Sequence, residues 1–350
     1  QMAGNTQLAI TGTYVLADIK VAQGRLHDAA STYEQSLQLA KEQGERVLRG
    51  TADLFLGLSA LDREQGNLET AREHLLRSEE LGVQAGLPDW QHRWCLAQAR
   101  IKKAQGDLNG ALDLLDKAER LYFRNPLPDV RPVAALKTQV WIAQGRLNEA
   151  RSWASERSLS AGDELSYLRE FEHITLARLL IAEYKSDREP APRGGDGRER
   201  SIHEAIGLLV RLRKAAEEGG RTGSEIEILL LQALAHEAQG NTRPALAPLE
   251  RALALAEPQG YVRIFVDEGL PMADLLARIK DGTSRPPDDE DGWTKVYIDK
   301  LLAAFEAEDQ KSKDQSEPLP VLPTQPPIEP PNSSSAVVVH VPIASDTENE

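Results

Sequence analysis

Residues 104–121 read AQGDLNGALDLLDKAERL, and their opening letters return four times: AQGRLHDAA from Ala22, EQGNLETAR from Glu64, AQGRLNEAR from Ala143 and AQGNTRPAL from Ala238. Self-similarity at a regular interval marks stacked repeats, so it governs the rest of the reading. The shared glycines are Gly24, Gly66, Gly106, Gly145 and Gly240, separated by 42, 40, 39 and 95 residues. Five residues after each comes an alanine: Ala29, Ala71, Ala111, Ala150 and Ala245. Ala205 stands 40 residues before Ala245 and 55 after Ala150, so one further unit fits in the long interval. The surplus is SDREPAPRGGDGRER, residues 186–200, polar and rich in Pro and Gly, and is predicted to be a surface insertion.

The register has a physical meaning. Seven residues before each glycine the side chain is small (Ala17, Ser59, Ala99, Thr138, Ala233), and five before it is apolar (Ile19, Leu61, Ile101, Val140, Ala235). Two after it stands Leu26, Leu68, Leu108 or Leu147, with Thr242 as the exception. A glycine ends the first helix by taking a left-handed backbone conformation. The small residues on either side of the turn let two antiparallel helices approach closely. Such a hairpin cannot bury its apolar face alone, but stacked neighbours can. The expectation is an all-α protein, a right-handed superhelix or α-solenoid of six antiparallel helix pairs over residues 13–257. The five glycines and the 186–200 insertion provide the turns.

The small residue, glycine, alanine and following large residue (Tyr33, Leu75, Leu115, Leu249) resemble the tetratricopeptide repeat, with a period of about 40 rather than the usual 34. The longer helices and the AQG turn are similar to the variant in MalT-like bacterial transcription regulators, the large ATP-dependent LuxR-type family. The stretch ALALAEPQGYVRIFVDEGLPMADLLARI, 252–279, strengthens the likeness. Such regulators carry a segment like it after their last repeats; here it is Gly260, Tyr261, Arg263, Phe265, Asp267, Glu268, Gly269, Pro271, Met272, Leu275 and Leu276. They often follow it with a segment like VYIDKLLAAFEAE, 296–308. The likeness covers residues 1 to about 308 and implies a non-catalytic sensor and interaction domain that recognises a small-molecule inducer or a protein partner. Self-association is compatible with it. In such regulators an N-terminal P-loop ATPase and a C-terminal helix-turn-helix flank the repeats. This chain has no GK dipeptide and hence no phosphate-cradling loop, so ATP is expected only in a separate domain and no cofactor in this one. The chain is accordingly read as the middle of such a regulator, a fragment or a degenerate gene product. The rival reading is a tetratricopeptide adaptor or regulatory arm unconnected with transcription.

The balance of 41 basic against 55 acidic side chains, formally −14, argues against nucleic-acid binding by these residues, since phosphate contact needs clustered Lys and Arg. A single cysteine, Cys95, excludes an internal disulfide and fits a cytoplasmic protein. No apolar run approaches the ~18 residues of a membrane span. SEPLPVLPTQPPIEPPNSSS, 316–335, holds seven prolines, so 309–350 is expected to be a disordered linker. The superhelix is expected over 1–308, its repeats reaching about 257 and a capping segment spanning 261–308.

No metal-binding pair of histidines, nucleophile elbow or catalytic triad spacing occurs, so no catalytic residue is assigned. GGDG at 194–197 follows no strand and reads as loop. By analogy with tetratricopeptide repeats, first helices should line the concave wall, with positions 13, 6 and 3 before each glycine facing the groove. These give Arg93, Arg100 and Lys103 in the third unit, Arg63 in the second and Gln139 in the fourth. Trp141 stands four before Gly145, where such repeats often place an aromatic, and joins the groove set. A local basic lining suits an anionic or polyhydroxylated ligand. Trp90 and Trp94, four apart on one helix face, read as core. Arg263 and Asp267 are spaced to pair along one helical turn, and Tyr261, Phe265, Leu275 and Leu276 are expected to cap the stack.

Overall fold

The computed structural model describes residues 2–42, 48–122, 129–186, 195–282 and 292–316, and among them there are helices and turns but no strand. Six antiparallel pairs follow one another: α1 (Met2–Ala22) with α2 (Leu26–Glu42), α3 (Thr51–Glu64) with α4 (Leu68–Ala85), α5 (Trp90–Ala104) with α6 (Leu108–Arg120), α7 (Val133–Ala143) with α8 (Leu147–Glu156), α9 (Glu170–Ser186) with α10 (Gly195–Glu218), and α11 (Thr222–Ala238) with α12 (Thr242–Ala256). The protein is an all-α solenoid. Three further helices complete the described part: α13 (Arg263–Val266), α14 (Leu270–Lys280) and α15 (Gly292–Ser316).

The register that predicted the pairs is also what packs them. Ala29, Ala71, Ala111, Ala150, Ala205 and Ala245 are all completely buried, as are Ala17, Thr138 and Ala233 on the facing helices. In the second pair the approach is close enough for the Ser59 hydroxyl to donate to the Ala71 carbonyl at 2.7 Å. A larger side chain at either position would overpack the contact, at a cost of roughly 1–3 kcal/mol. Ile19 breaks the pattern: it is half exposed, along with Val15 and Leu16 on the same helix. Cys95 is a buried apolar filler, its thiol pushed up by burial. Trp90 is core and donates from its indole nitrogen to Ser78 Oγ at 2.9 Å; Trp94 is partly buried in the same region.

All five repeated glycines sit in helix–helix turns with positive φ. Gly66 has a second constraint. With φ at 86°, any other residue would be strained, and a Cβ there would also crowd Val262 Cγ1 at 3.0 Å.

Two expectations need correction. The loop foreseen at 186–200 is shorter, because Gly195–Arg200 already belong to α10, GGDG included as far as it is described; 187–194 lie outside the described residues. The helix is anchored early: Arg198 stacks on the Tyr184 ring at 4.2 Å and donates to the Tyr184 carbonyl at 3.1 Å, while Arg200 pairs with Glu204 one turn on. The expectation of a linker from 309 does not hold for 309–316, where α15 runs on to Ser316 through DQKSKDQ, whose residues include good helix formers. The proline-rich stretch from 317 lies outside the described residues.

The stack curves until its sixth pair meets its first. α1 touches α11, and a Cβ on Gly24 would lie 2.8 Å from Thr222 Cβ. First helices therefore surround a central channel.

Candidate recognition channel

The channel wall is built from α3, α5, α7, α9 and α11. A cavity of about 210 Å³ opens among Lys103 of α5, Gln139 and Ile142 of α7, Arg178 and Ile181 of α9, and Leu231 of α11. Asp267 and Glu268, from the segment after the last pair, complete its lining. These residues meet because helical positions three and seven apart share a face, and each first helix turns that face inward.

Residues 259–269 cross the channel as a clasp. Together with α14, which packs on α11 and α12, they sit against the sixth pair, and Tyr261, Phe265, Leu275 and Leu276 are buried. They also reach the opposite wall. Val262 N donates to the Glu64 carbonyl at 2.9 Å and Ile264 N to Glu64 Oε1 at 3.0 Å. Gln65 Nε2 donates to the Gln259 carbonyl at 3.3 Å, and His27 N to Gln259 Oε1 at 3.2 Å. Gly260 and Gly269 carry positive φ and bound this segment, ending the turn after α12 and preceding α14 respectively. Behind the clasp, Tyr297 of α15 donates to the Tyr261 carbonyl and packs edge-on against Phe265.

Charge holds the clasp. Asp267 accepts from Arg63 across the channel and from Arg263 Nε at 2.9 Å along its own turn. Burial opposes its ionisation, but Arg63, Arg263 and Lys103 together hold the carboxyl down to about 2. Glu268 binds Arg178, whose other nitrogen donates to Glu227 Oε1 at 2.9 Å. Arg178 is raised above its usual range: burial works against the charge, and Glu268 and Glu227 outweigh it. Arg263 pairs in addition with Glu308 of α15. The expected Arg263–Asp267 pair is thus present, but inside the protein, with Arg263 only 5% exposed.

The predicted groove residues divide into three groups. Arg63 faces the channel and is engaged by Asp267 and Glu64. Arg93 is engaged too, stacked on Tyr14 at 4.4 Å and paired with Asp53 and Asp89; burial pushes the Asp53 carboxyl up to about 6 in spite of Arg93. Gln139 lines the cavity, bound through Nε2 to Thr175 Oγ1 at 3.3 Å. Arg100 and Lys103 lie on the inner face and, among the described residues, their charged ends make no hydrogen bond or ion pair. Burial, then Arg131 and Arg63 nearby, pushes Arg100 down to about 10; burial likewise lowers Lys103, against the pull of Asp267. Trp141 is not brought to the cavity. Its ring lies 5.7 Å from the Lys137 ammonium, which pairs with Asp116 and Glu119 of α6. One residue's step along a helix turns a side chain by roughly 100°, so position −4 points away from the −3 and −6 face.

Several channel residues escaped the sequence reading. Asp18 (−6 from Gly24), Asp53 (−13 from Gly66) and Glu227 (−13 from Gly240) all occupy the very positions used to find the cations. The register that marks the inward cations marks these carboxylates equally. Arg178 had no such signal, because no glycine closes α9.

A family model described as the MalT-like TPR region matches residues 1–282, which includes all six pairs and the clasp. The chain belongs to the MalT-like TPR region family. In this MalT-like chain the matched residues end just beyond α14, so the segment read as a family motif lies within the match. Among the described residues no helix is long and apolar enough to cross a membrane, and no group of three His, Cys, Asp or Glu side chains is placed to hold a metal ion.

Proposed function

We propose that the chain is the sensing and interaction domain of a LuxR-type transcription regulator, that it works in the cytoplasm without catalysing a reaction, and that its channel recognises a small-molecule inducer or a protein partner. MalT-like TPR regions are regulatory repeats, and repeat solenoids bind their partners on concave surfaces. The observation that carries the reading is the position of the clasp. It forms one side of the cavity and joins the first pairs, the last pair and α15. A molecule that enters the channel touches the segment leading toward the C-terminal end of the chain. ATP and DNA would be handled by other domains of such a regulator; this part has no P-loop and carries a charge of −14.

The test is a thermal-shift screen of the chain against a metabolite library, followed by hydrogen exchange with each hit. The expected result is a ligand that raises the melting temperature and changes protection at 259–269 and in α15. A ligand at 100 times its Kd contributes about 2.7 kcal/mol. Turnover of ATP by the purified chain, or salt-sensitive binding of duplex DNA, would sink the assignment of those roles elsewhere. A partner protein captured on the convex wall, with no change at the clasp, would favour the adaptor reading.

A further inference from the structure

We infer that the cavity beside Lys103 is a site for a small amphiphilic carboxylate, with Lys103 binding the carboxylate and Ile142, Ile181, Leu231 and Leu234 holding the apolar body. This rests on the channel being the recognition surface and adds the class of ligand.

Consider which donors and acceptors in the lining are already used. Glu268 is committed to Arg178, and Asp267 to Arg63 and Arg263. Arg178 is committed through its two terminal nitrogens to Glu268 and Glu227, and only its buried Nε is left without a partner. The Gln139 amide nitrogen is committed to Thr175. The Lys103 ammonium, with three donors, has no hydrogen-bond or ion-pair partner among the described residues and opens on the cavity. A half-buried ammonium without a partner calls for an acceptor, and a charged one binds it most strongly. The repulsion an incoming anion would meet from Asp267 and Glu268 is lessened by Arg63, Arg263 and Arg178, the last shared with Glu227. One turn earlier on the same face, Arg100 also lacks a partner and adds positive potential.

The remaining lining sets the rest of the ligand. Ile142, Ala143, Ile181, Ala182, Leu231 and Leu234 form the apolar wall; Lys185, the remaining lining residue, is already engaged by another interaction. Such a wall favours hydrocarbon over hydroxyl groups, because a hydroxyl buried there would lose its hydrogen bonds to water. The volume, about 210 Å³, lies below the ~300–1,000 Å³ typical of sites for drug-sized molecules. It suits a single-ring or short branched acid.

The probe is 3-phenylpropionate, with 3-phenylpropionamide as its neutral isostere. Binding to the full chain is measured by calorimetry and by methyl NMR of the isoleucine and leucine groups. The acid is expected to bind at least about tenfold more tightly than the amide, a difference of about 1.4 kcal/mol, and to shift the Ile142, Ile181 and Leu231 methyls. Lys103→Gln should abolish that preference and Lys103→Arg should restore most of it. Leu231→Trp, which fills the cavity, should abolish binding of both. Circular dichroism and the denaturation midpoint of each variant verify its fold, and Lys103 is partly exposed, so its replacement leaves the stack intact. Equal binding of acid and amide, unchanged binding by Lys103→Gln, or no binding of the acid would overturn the carboxylate assignment. If a neutral ligand from the library screen still binds and is blocked by Leu231→Trp, the channel reading survives that loss. If no ligand occupies the channel at all, both fall.

Discussion

The ion pairs of the channel and those of the outer surface use the same side chains to different ends. Outside, Arg25–Asp28 and Arg77–Glu80 join neighbours three apart on one helix, and all four side chains are at least half exposed. Inside, Arg63 reaches Asp267 across 204 residues and Arg178 reaches Glu268 across 90. Solvent screens the outer pairs, and each is worth well under ~1 kcal/mol. The inner pairs hold charges away from water, so losing one partner strands the other. What the contrast teaches is that this acidic protein fastens its ends together with charge and merely decorates its helices with it.

The hardest blow to that contrast is Arg178→Met, which leaves Glu227 and Glu268 without their shared cation. It should destabilise the chain by about 3–5 kcal/mol in urea titrations. A loss below ~1 kcal/mol would place the channel pairs in the same class as the surface ones.

Asp267→Asn should cost about 2.5 kcal/mol at neutral pH. Its folded carboxyl stands at about 2, below the ordinary value of 3.8, so the folded state binds the proton less readily. The stabilisation is present above pH 3.8 and is lost as pH falls from there toward 2, and about two pKa units correspond to that energy. Urea midpoints across this acid range should fall less steeply for the variant than for the parent. Parallel profiles would remove Asp267 from the account.

Arg100→Met sharpens the comparison from the other side. An inward cation without a partner is a cost to the fold, so its removal should be neutral or stabilising by up to ~1 kcal/mol. Destabilisation well beyond that would reveal a bond that Arg100 makes in solution. The smallest effect belongs to the outer surface: Arg77→Ala should change stability by less than ~0.5 kcal/mol, with the difference shrinking as salt rises. Thermal melts at two salt concentrations measure it.

How far the molecule could be read in advance follows from the same division. The hairpins were legible because their constraint is local: Gly66 and Ala71 are five residues apart, and the turn between them dictates both. The inner face was partly legible for the same reason. Counting back from Gly106 leads to Lys103, which lines the cavity, and counting back from Gly66 leads to Arg63, which meets Asp267. Trp141 failed by one position, which on a helix is a different direction. The clasp could be recognised as a segment and its burial expected. Nothing near Asp267 announces that its partner is Arg63, since that pairing depends on how far five successive hairpins turn. Arg178 stayed hidden because the insertion removes the glycine from which its place would be counted.

The contact between Gly24 and Thr222 has a consequence for cooperativity. In an open row of repeats each unit leans only on its neighbours, stability is nearly a sum of local terms, and the end units fray first. Here the first unit leans on the second and also on the sixth and on the clasp. Losing it exposes surface at both ends at once, so partial unfolding from the N-terminal side is penalised twice. Contacts this distant in sequence also form late and slow the search for the native state. The protein gives up some of the independence of repeats and gains a unit in which an event at one hairpin is felt at all of them.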